Sequence, residues 1–533
     1  MLPQYRRQLW NDDILRGILD HLAPASFPFD KVDDPGLIAL ARCARASPVL
    51  FEFAINVLWR QVDSLTVVLH VLSPGFQRLE DRNKEKSNGN VYALAGCVPE
   101  ESIARMRYYA TRIRRLAHRA DLHRIEPEVF SVVHSQLRGE PLLPSLQVLH
   151  WTQRTPTDVL EILSVVPPSL RELCIAGLGA KGEIAPPAVA TSTTNYVFSR
   201  FIHDLSTAAP SLELLTLSGN IHSSFIVCLG ELARLKSLSI INFSHHGFGS
   251  GYLPVIRSCA AFPLQEFGIN LTDSPVFDGE VTGFHSLRTL RVHGTLSLVT
   301  RFLSYVSSGE LTSFGALVPR PDRWEDYRGC LNVLCARFGS SLRSVRLSGS
   351  WTGDMASLAR PIDVLAPLLN LPLLEDVCII SGTGVALSLC AEGVTTFAKA
   401  WPNLRELRLL YSPVPAELPI DALGVFVEHC PRLQTLWLAS VDVRGIKKRS
   451  LDACPKASNH GLRQIWLAGD VPKADARRVA EFVDRMFPHV DLRPVDYPWQ
   501  SSRSPGSWQS VLASLKEVKA VRLSSSPVAQ IEE

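Results

Sequence analysis

Arginine and tryptophan recur at one position of a repeated spacing in the second half of the chain, at Arg291, Arg346, Arg408, Trp437 and Trp466. These side chains recognise rather than react. A guanidinium forks carboxylates and stacks on aromatic faces, and an indole brings a large rigid apolar surface, so the pair of residue types points to binding of another protein. The groups able to do covalent or metal chemistry are scattered instead. Cys330 and Cys335 are the closest pair among eleven cysteines, and no Cys-x-x-Cys or Cys/His knuckle occurs, which is the pattern of buried reduced thiols. His245-His246 and Glu428-His429-Cys430 have no further ligand at metal spacing. The run Gly247-Phe248-Gly249-Ser250-Gly251 lacks the strand before it and the helix after it that a dinucleotide loop needs. A non-catalytic chain without cofactor or metal is expected.

The element that must position the arginines and tryptophans is a repeat. From residue 146 onward the spacing Leu-x-x-apolar-x-apolar recurs twelve times. The copies begin at Leu146, Leu170, Leu212, Leu235, Leu264, Leu287, Leu311, Leu342, Leu374, Leu404, Leu433 and Leu462. The last two apolar positions have the period of a strand with one buried face, and the leading Leu anchors the turn into it. Helical spacing follows between copies, as in Asp421, Leu423, Val425, Phe426 and Val427. Strand and helix alternating at this period predict an α/β leucine-rich repeat solenoid. Leading leucines lie 23 residues apart at the closest, Leu212 to Leu235, and 42 at the widest, Leu170 to Leu212, so an irregular horseshoe is expected. The Asn that follows the strand in regular arrays stands at Asn220, whereas Arg154, Leu178, Thr295, Ser350, Ser412 and Asp470 occupy equivalent places.

Within each copy the residue between the last two apolar positions faces away from the core. That column reads His150, Cys174, Thr216, Ser239, Gly268, Arg291, Gly315, Arg346, Cys378, Arg408, Trp437 and Trp466. Arg291, Arg346, Arg408, Trp437 and Trp466 are therefore the expected target-binding residues. The alternative is that a C-terminal segment with Tyr497, Trp499 and Trp508 folds back over the tryptophans.

Ahead of the array lie three short amphipathic helices. Asn11 is a natural N-cap, Asp12 and Asp13 suit the positive helix end, and Ile14, Leu15, Ile18, Leu19 and Leu22 form one apolar face. Asp34-Pro35 and Ser47-Pro48 each place Pro at the first helical position of a further helix. So small a module keeps apolar surface for a partner. Here the sequence resembles the F-box of fungal F-box proteins that carry leucine-rich repeats. The matching residues are Leu9, Trp10-Asn11-Asp12-Asp13-Ile14-Leu15, Ile18, Leu22, Leu40 through Ser47, and Val57-Leu58-Trp59-Arg60. Leu9-Trp10 stands where the family has Leu-Pro, and residues 23–34 form an insertion. The segment Ala104 to Leu116 resembles that family's linker helix and first strand, and Val479-Ala480-Glu481-Phe482 with Met486-Phe487-Pro488 resembles its C-terminal end. The resemblance implies a substrate-recognition adaptor of a ubiquitin ligase. A Skp1-type adaptor, and through it a cullin, would bind Leu9, Ile14, Leu15, Ile18, Leu22, Leu40, Leu58 and Trp59, and the repeats would hold a target protein. A repeat scaffold outside any ligase is the other reading, and a helical cap that only seals the first repeat would account for the module.

The expected organisation is a helical module over residues 8–62, a helical linker over 63–112 with a mobile charged loop at 78–90, the repeat array over 113–493, and a Ser/Pro-rich, partly disordered tail over 494–533. Within the tail a short helix is expected at 510–518. A net charge of +3 over 533 residues gives no electrostatic case for nucleic acid. The one basic stretch, Arg105, Arg107, Arg112, Arg114, Arg115 and Arg119, reads as a solvated helix face. Residues 1–13 carry Arg6, Arg7, Asp12 and Asp13 before any apolar run, and the most apolar short stretch, Leu65 to Leu72, is interrupted by His70 and falls well short of the ~20 residues of a membrane span. A cytoplasmic or nuclear protein, neither secreted nor membrane-bound, is expected.

Overall fold

The computed structural model describes residues 12–23, 34–79, 90–153, 156–178, 187–219, 228–241, 253–271, 281–352, 361–381, 386–387, 389–410, 412–413, 418–439, 441–443, 460–467, 471–472, 474–492 and 505–524. They fall into two compact units, Met1–Leu264 and Gln265–Glu533. Leu9, His245-His246, the Gly247–Gly251 run, Tyr497 and Trp499 lie outside the described residues.

In the first unit, Asp12–Asp20, Pro35–Ala46 and Pro48–Leu58 are helices. The caps read from sequence explain where two of them start. The Asp34 carboxylate accepts from the amides of Gly36 and Leu37, and the Ser47 hydroxyl accepts from that of Val49. Leu19, Leu40, Ala54 and Val57 meet at the centre, with Leu22, Leu37 and Leu58 packed around them. Gly36 sits where a Cβ would overlap the Leu22 carbonyl oxygen, so a side chain there would push the second helix off the end of the first.

The module runs directly into a parallel sheet. Gln61–Val62 pairs with Arg115–Arg119, and Val148–Thr152, Glu172–Leu178, Leu214–Gly219 and Ser237–Ile241 follow in chain order. One backbone device repeats along it. The carbonyl just before each strand accepts two successive amides of the next unit: Arg60 from Arg114 and Arg115, Arg114 from Gln147 and Val148, Gln147 from Arg171 and Glu172. Arg60 closes the helical module, so its last residue is also the first rung of the sheet. Beside this sheet lies a smaller one, Phe76–Leu79 antiparallel to Asn90–Leu94, with His123–Ile125 parallel to the latter. Sequence reasoning read that region as helix and loop. Its short strands are held by a ring cluster in which Phe76 stacks on Tyr92 at 5.5 Å and His70 meets both edge-on.

The second unit contributes Glu266–Asn270, Thr289–His293, Ser313–Arg323, Ser344–Thr352, Asp376–Ser381, Glu406–Leu410, Thr435–Leu438 and Gln464–Leu467, all parallel and neighbouring in chain order. The two-amide rung continues through Gln265, Arg288, Thr312, Arg343, Glu375, Arg405 and Gln434. Helices lie between most strands, including Leu296–Tyr305, Trp324–Phe338 and Ala391–Ala400.

All twelve repeats place their last two apolar residues in a strand, and every one of these, with its leading Leu, is at most 4% exposed. Burying three such side chains per repeat, each contributing about 2 kcal/mol, favours the strand register that turns them inward. The architecture is mixed α/β with a large parallel sheet, compatible with a solenoid. Among the described residues no helix is long and apolar enough to cross a membrane. At the C-terminal end, the Ser/Pro-rich region contains a helix, Pro505–Ser524, longer than the short one expected. It packs along Ala476–Met486, with Arg522 beside Asp484 at 3.4 Å and its guanidinium donating to the Pro488 carbonyl.

Candidate protein-binding surfaces

The first surface is on the helical module. In Asp12–Asp20 the four apolar positions do not share one face: Leu15 and Leu19 are buried, while Ile14 and Ile18 are 61% and 56% exposed. Successive residues on a helix are about 100° apart, so Ile14 and Ile18 form a stripe turned away from the one that packs inward. Sequence reasoning grouped Leu15, Leu22, Leu40 and Leu58 with them as contact residues. The structure corrects that grouping. Leu15 and Leu40 are buried, and Leu22 and Leu58 pack against the module's own core around Leu19, Ala54 and Val57, so these side chains hold the short helices together. Two residues that sequence reasoning left out, Ile38 on the second helix and Val49 on the third, are 45% and 54% exposed. Ile38 could have been found from its position, since Leu37 one residue before it and Leu40 two after it already mark the inward face.

Trp59 is half-buried and already engaged. Its ring stacks on Tyr109 of the helix Glu100–Ala110 at 4.4 Å and 20°. Nearby, the Tyr108 hydroxyl donates to Glu52 Oε1 at 2.6 Å, and Arg112 lies 3.0 Å from Glu52 Oε2 while its guanidinium covers the Tyr108 ring. The Tyr108 hydrogen bond holds the Glu52 carboxyl below its ordinary range, and the same bond raises the Tyr108 phenol. Asp20 and Arg60 add an ion pair at 2.7 Å. The basic stretch is thus partly consumed in fixing the module to the neighbouring helix Glu100–Ala110.

The second surface is the sheet face that carries the column of intervening residues in the second unit. Strand register places Gly268, Arg291, Gly315, Arg346, Cys378, Arg408, Trp437 and Trp466 side by side in one row. Arg291 and Arg346 are exposed, Arg408 and Trp466 are half-buried, and Trp437 is only 3% exposed. Trp437 is therefore not an exposed docking residue. One reason is visible: the Arg408 guanidinium lies over its ring, 4.1 Å from the centroid. Trp508, expected as a possible cover, is buried on the helix Pro505–Ser524, which packs along Ala476–Met486.

Glu406 was missed in the sequence, although its place two residues before Arg408 puts it on the same face. Its Oε1 lies 3.0 Å from Arg408 Nε and 3.6 Å from Arg346 Nη2. The Arg408 N–H does not point at that oxygen, so the contact is an ion pair without an aligned hydrogen bond. Asp376, between these strands, has its carboxyl raised by burial, against which Arg346 acts. Burial likewise raises the Cys378 thiol. In the first unit, the corresponding column brings His150 beside Cys174, with His150 Nε2 at 3.5 Å from Glu172 Oε1. Burial, reinforced by Glu172, raises the Cys174 thiol, so this trio keeps the sulfur protonated rather than activated. Cys330 and Cys335 are both pushed up to about 11 by burial. Among the described residues no group of three or more metal-ligating side chains comes together.

No family model matches the chain, and no curated protein matches it. Among solved structures, the crystal structure of the Rad7 and Elc1 complex in yeast is similar over 86% of this chain and 94% of the matched chain. The two are 14% identical with a TM-score of 0.35, a likeness too distant to carry an argument.

Proposed function

We propose that the chain is a non-catalytic, leucine-rich repeat substrate receptor of a Skp1-cullin-F-box type ubiquitin ligase. Its F-box-like helices dock on a Skp1-type adaptor, and its repeats hold a target protein. The observation that carries this reading is the split helix Asp12–Asp20, whose inward stripe is satisfied by the chain while Ile14 and Ile18 are left to water at 61% and 56% exposure. Two isoleucines one helical turn apart cost solubility unless something covers them, and the residues around them resemble an F-box. Support for the target half comes from the row of arginines on the sheet face, since exposed Arg is enriched where proteins bind.

The chemistry of ubiquitin transfer would belong to other subunits. This chain contributes proximity, because holding a target lysine near the charged enzyme turns a bimolecular encounter into one within a complex. Co-expression of the full chain with a Skp1-type adaptor and a cullin, followed by capture through the chain, tests it. Recovery of both supports the assignment, and recovery of neither removes it.

One observation favours the other reading, a repeat scaffold with a sealing cap. The Trp59–Tyr109 stack, the Glu52 contacts and the Arg60 rung seat the module on the first strands as a cap would be seated. A cap, however, gains nothing from exposed Ile14 and Ile18.

A further inference from the structure

The sheet-face row contains the same interval twice. Arg346, Cys378 and Arg408 stand on three successive strands, and so do Arg291, Gly315 and Arg346. In both, two arginines flank a small residue, about 10 Å apart across two strand spacings. The difference lies two residues earlier on each strand. Beside the first interval run Ser344, Asp376 and Glu406, and the Glu406 carboxylate approaches both guanidiniums at 3.6 and 3.0 Å. Beside the second run Thr289, Ser313 and Ser344, which carry no charge.

Arg291 makes no ion pair or hydrogen bond among the described residues, and the Arg346 side chain is 55% exposed despite its contact with Glu406. A Cβ on Gly315 would meet Arg291 Cγ at 3.6 Å, so the stem of Arg291 lies across that glycine, toward the Arg346 side of the row. Leu317, two residues on and on the same face, is 43% exposed. The chain thus shows in one interval how this geometry receives a carboxylate and leaves the other interval without one.

We infer that the Arg291–Gly315–Arg346 interval is a slot for a carboxylate side chain of a bound protein segment, an Asp or Glu with an apolar neighbour that covers Leu317. The inference rests on the reading of this face as the target-binding surface and names the chemistry it selects. Two guanidiniums bracket the anion, and the absence of a side chain at Gly315 gives the Arg291 stem room to lie across the row toward Arg346.

The test uses the full chain and fluorescein-labelled nonapeptide pools with randomised flanks and a central Glu, Gln or phosphoserine, read by anisotropy at low salt. The Glu pool is expected to bind about tenfold or more tighter than the Gln pool, as charge-assisted hydrogen bonds to two arginines require. Arg291→Gln removes one partner without disturbing any described contact, and Gly315→Glu fills the slot from within the chain. Each should erase the preference for Glu, while Arg405→Gln, which removes the partner of Glu375, should leave it intact. Equal binding of the Glu and Gln pools, a preference for phosphoserine alone, or a Glu preference that survives both variants would overturn the slot. Adaptor capture measured on the same preparations separates the two levels. Capture intact with no Glu preference removes the slot alone, whereas a slot-dependent Glu preference without capture supports the slot and removes the ligase reading.

Discussion

The Tyr108 hydroxyl donates a 2.6 Å hydrogen bond to the Glu52 carboxylate, tying the helix Glu100–Ala110 to the third helix of the N-terminal module. With Arg112 on the other carboxylate oxygen and Trp59 stacked on Tyr109, the module cannot swing freely about residue 60.

The joint has a pH window. Glu52 is held below its ordinary 4.5 in the folded chain, so its contribution is present above that value and is lost as pH falls through the lowered one. Tyr108 is raised above 10.0, so its contribution is full below 10 and is lost as pH rises through the raised value. Amide exchange in the third helix should therefore be slowest between roughly pH 5 and 10 after correction for intrinsic rates. Tyr108→Phe should speed it at neutral pH, and an unchanged profile in that variant would remove the joint from the account.

His118 gives a second pH dependence, of opposite origin. Burial pushes its imidazole down to about 3, its ring packs 4.5 Å from Trp151, and its Nδ1 accepts from the Leu65 amide. The unfolded chain binds a proton near 6.5 that the folded chain refuses, so stability falls as pH drops from there toward about 3, by about 1.4 kcal/mol per unit from this residue. Urea midpoints of the wild type between pH 7 and 5 should decline more steeply than those of His118→Phe. Parallel declines would contradict the burial of a neutral ring.

Core and surface residues of the module should separate cleanly. Leu40→Ala empties a fully buried site and should cost about 2 to 5 kcal/mol, and Gly36→Ala should cost about 1 to 3 kcal/mol by forcing the second helix off Leu22. Ile14→Ala and Ile18→Ala should change stability by less than about 0.5 kcal/mol. Thermal melts followed by circular dichroism measure all four, and a costly Ile18→Ala would mean that its face is already covered by the chain.

The tryptophan row divides in the same way. Trp437 is buried under Arg408, so Trp437→Ala should destabilise the second unit by about 3 kcal/mol or more, whereas Arg291→Gln, on an exposed side chain without a described partner, should be neutral. Equal melting temperatures for Trp437→Ala and wild type would restore that residue as a free surface.

What the sequence disclosed was what depends on local period. The alternation Leu407, Arg408, Leu409 determines which side chains enter the core and which face out, and all twelve copies of the spacing form strands with those residues buried. The caps at Asp34 and Ser47 were equally local. What escaped depends on partners distant along the chain. Trp437 faces outward as its register demands, yet is covered in part by Arg408 from the preceding strand, 29 residues earlier. Ile14, Leu15, Ile18 and Leu19 look like one apolar face until Leu40, Ala54 and Val57 choose which stripe to bury. Phe76–Leu79 has too few residues to show a period, and its order comes from rings at His70 and Tyr92.

The central claim is that the Ile14–Ile18 stripe is an adaptor surface, and biolayer interferometry of a Skp1-type adaptor on the immobilised full chain tests it most directly. Three chains suffice: wild type, Ile18→Glu, and Val132→Glu, the last placing the same charge on an exposed apolar residue of the helix Pro127–Leu137. Saturable binding to wild type is expected, with a loss of about thirtyfold or more in Ile18→Glu at an unchanged melting temperature and wild-type affinity in Val132→Glu. Equal affinity of wild type and Ile18→Glu, or no binding by the folded wild-type chain, would contradict it.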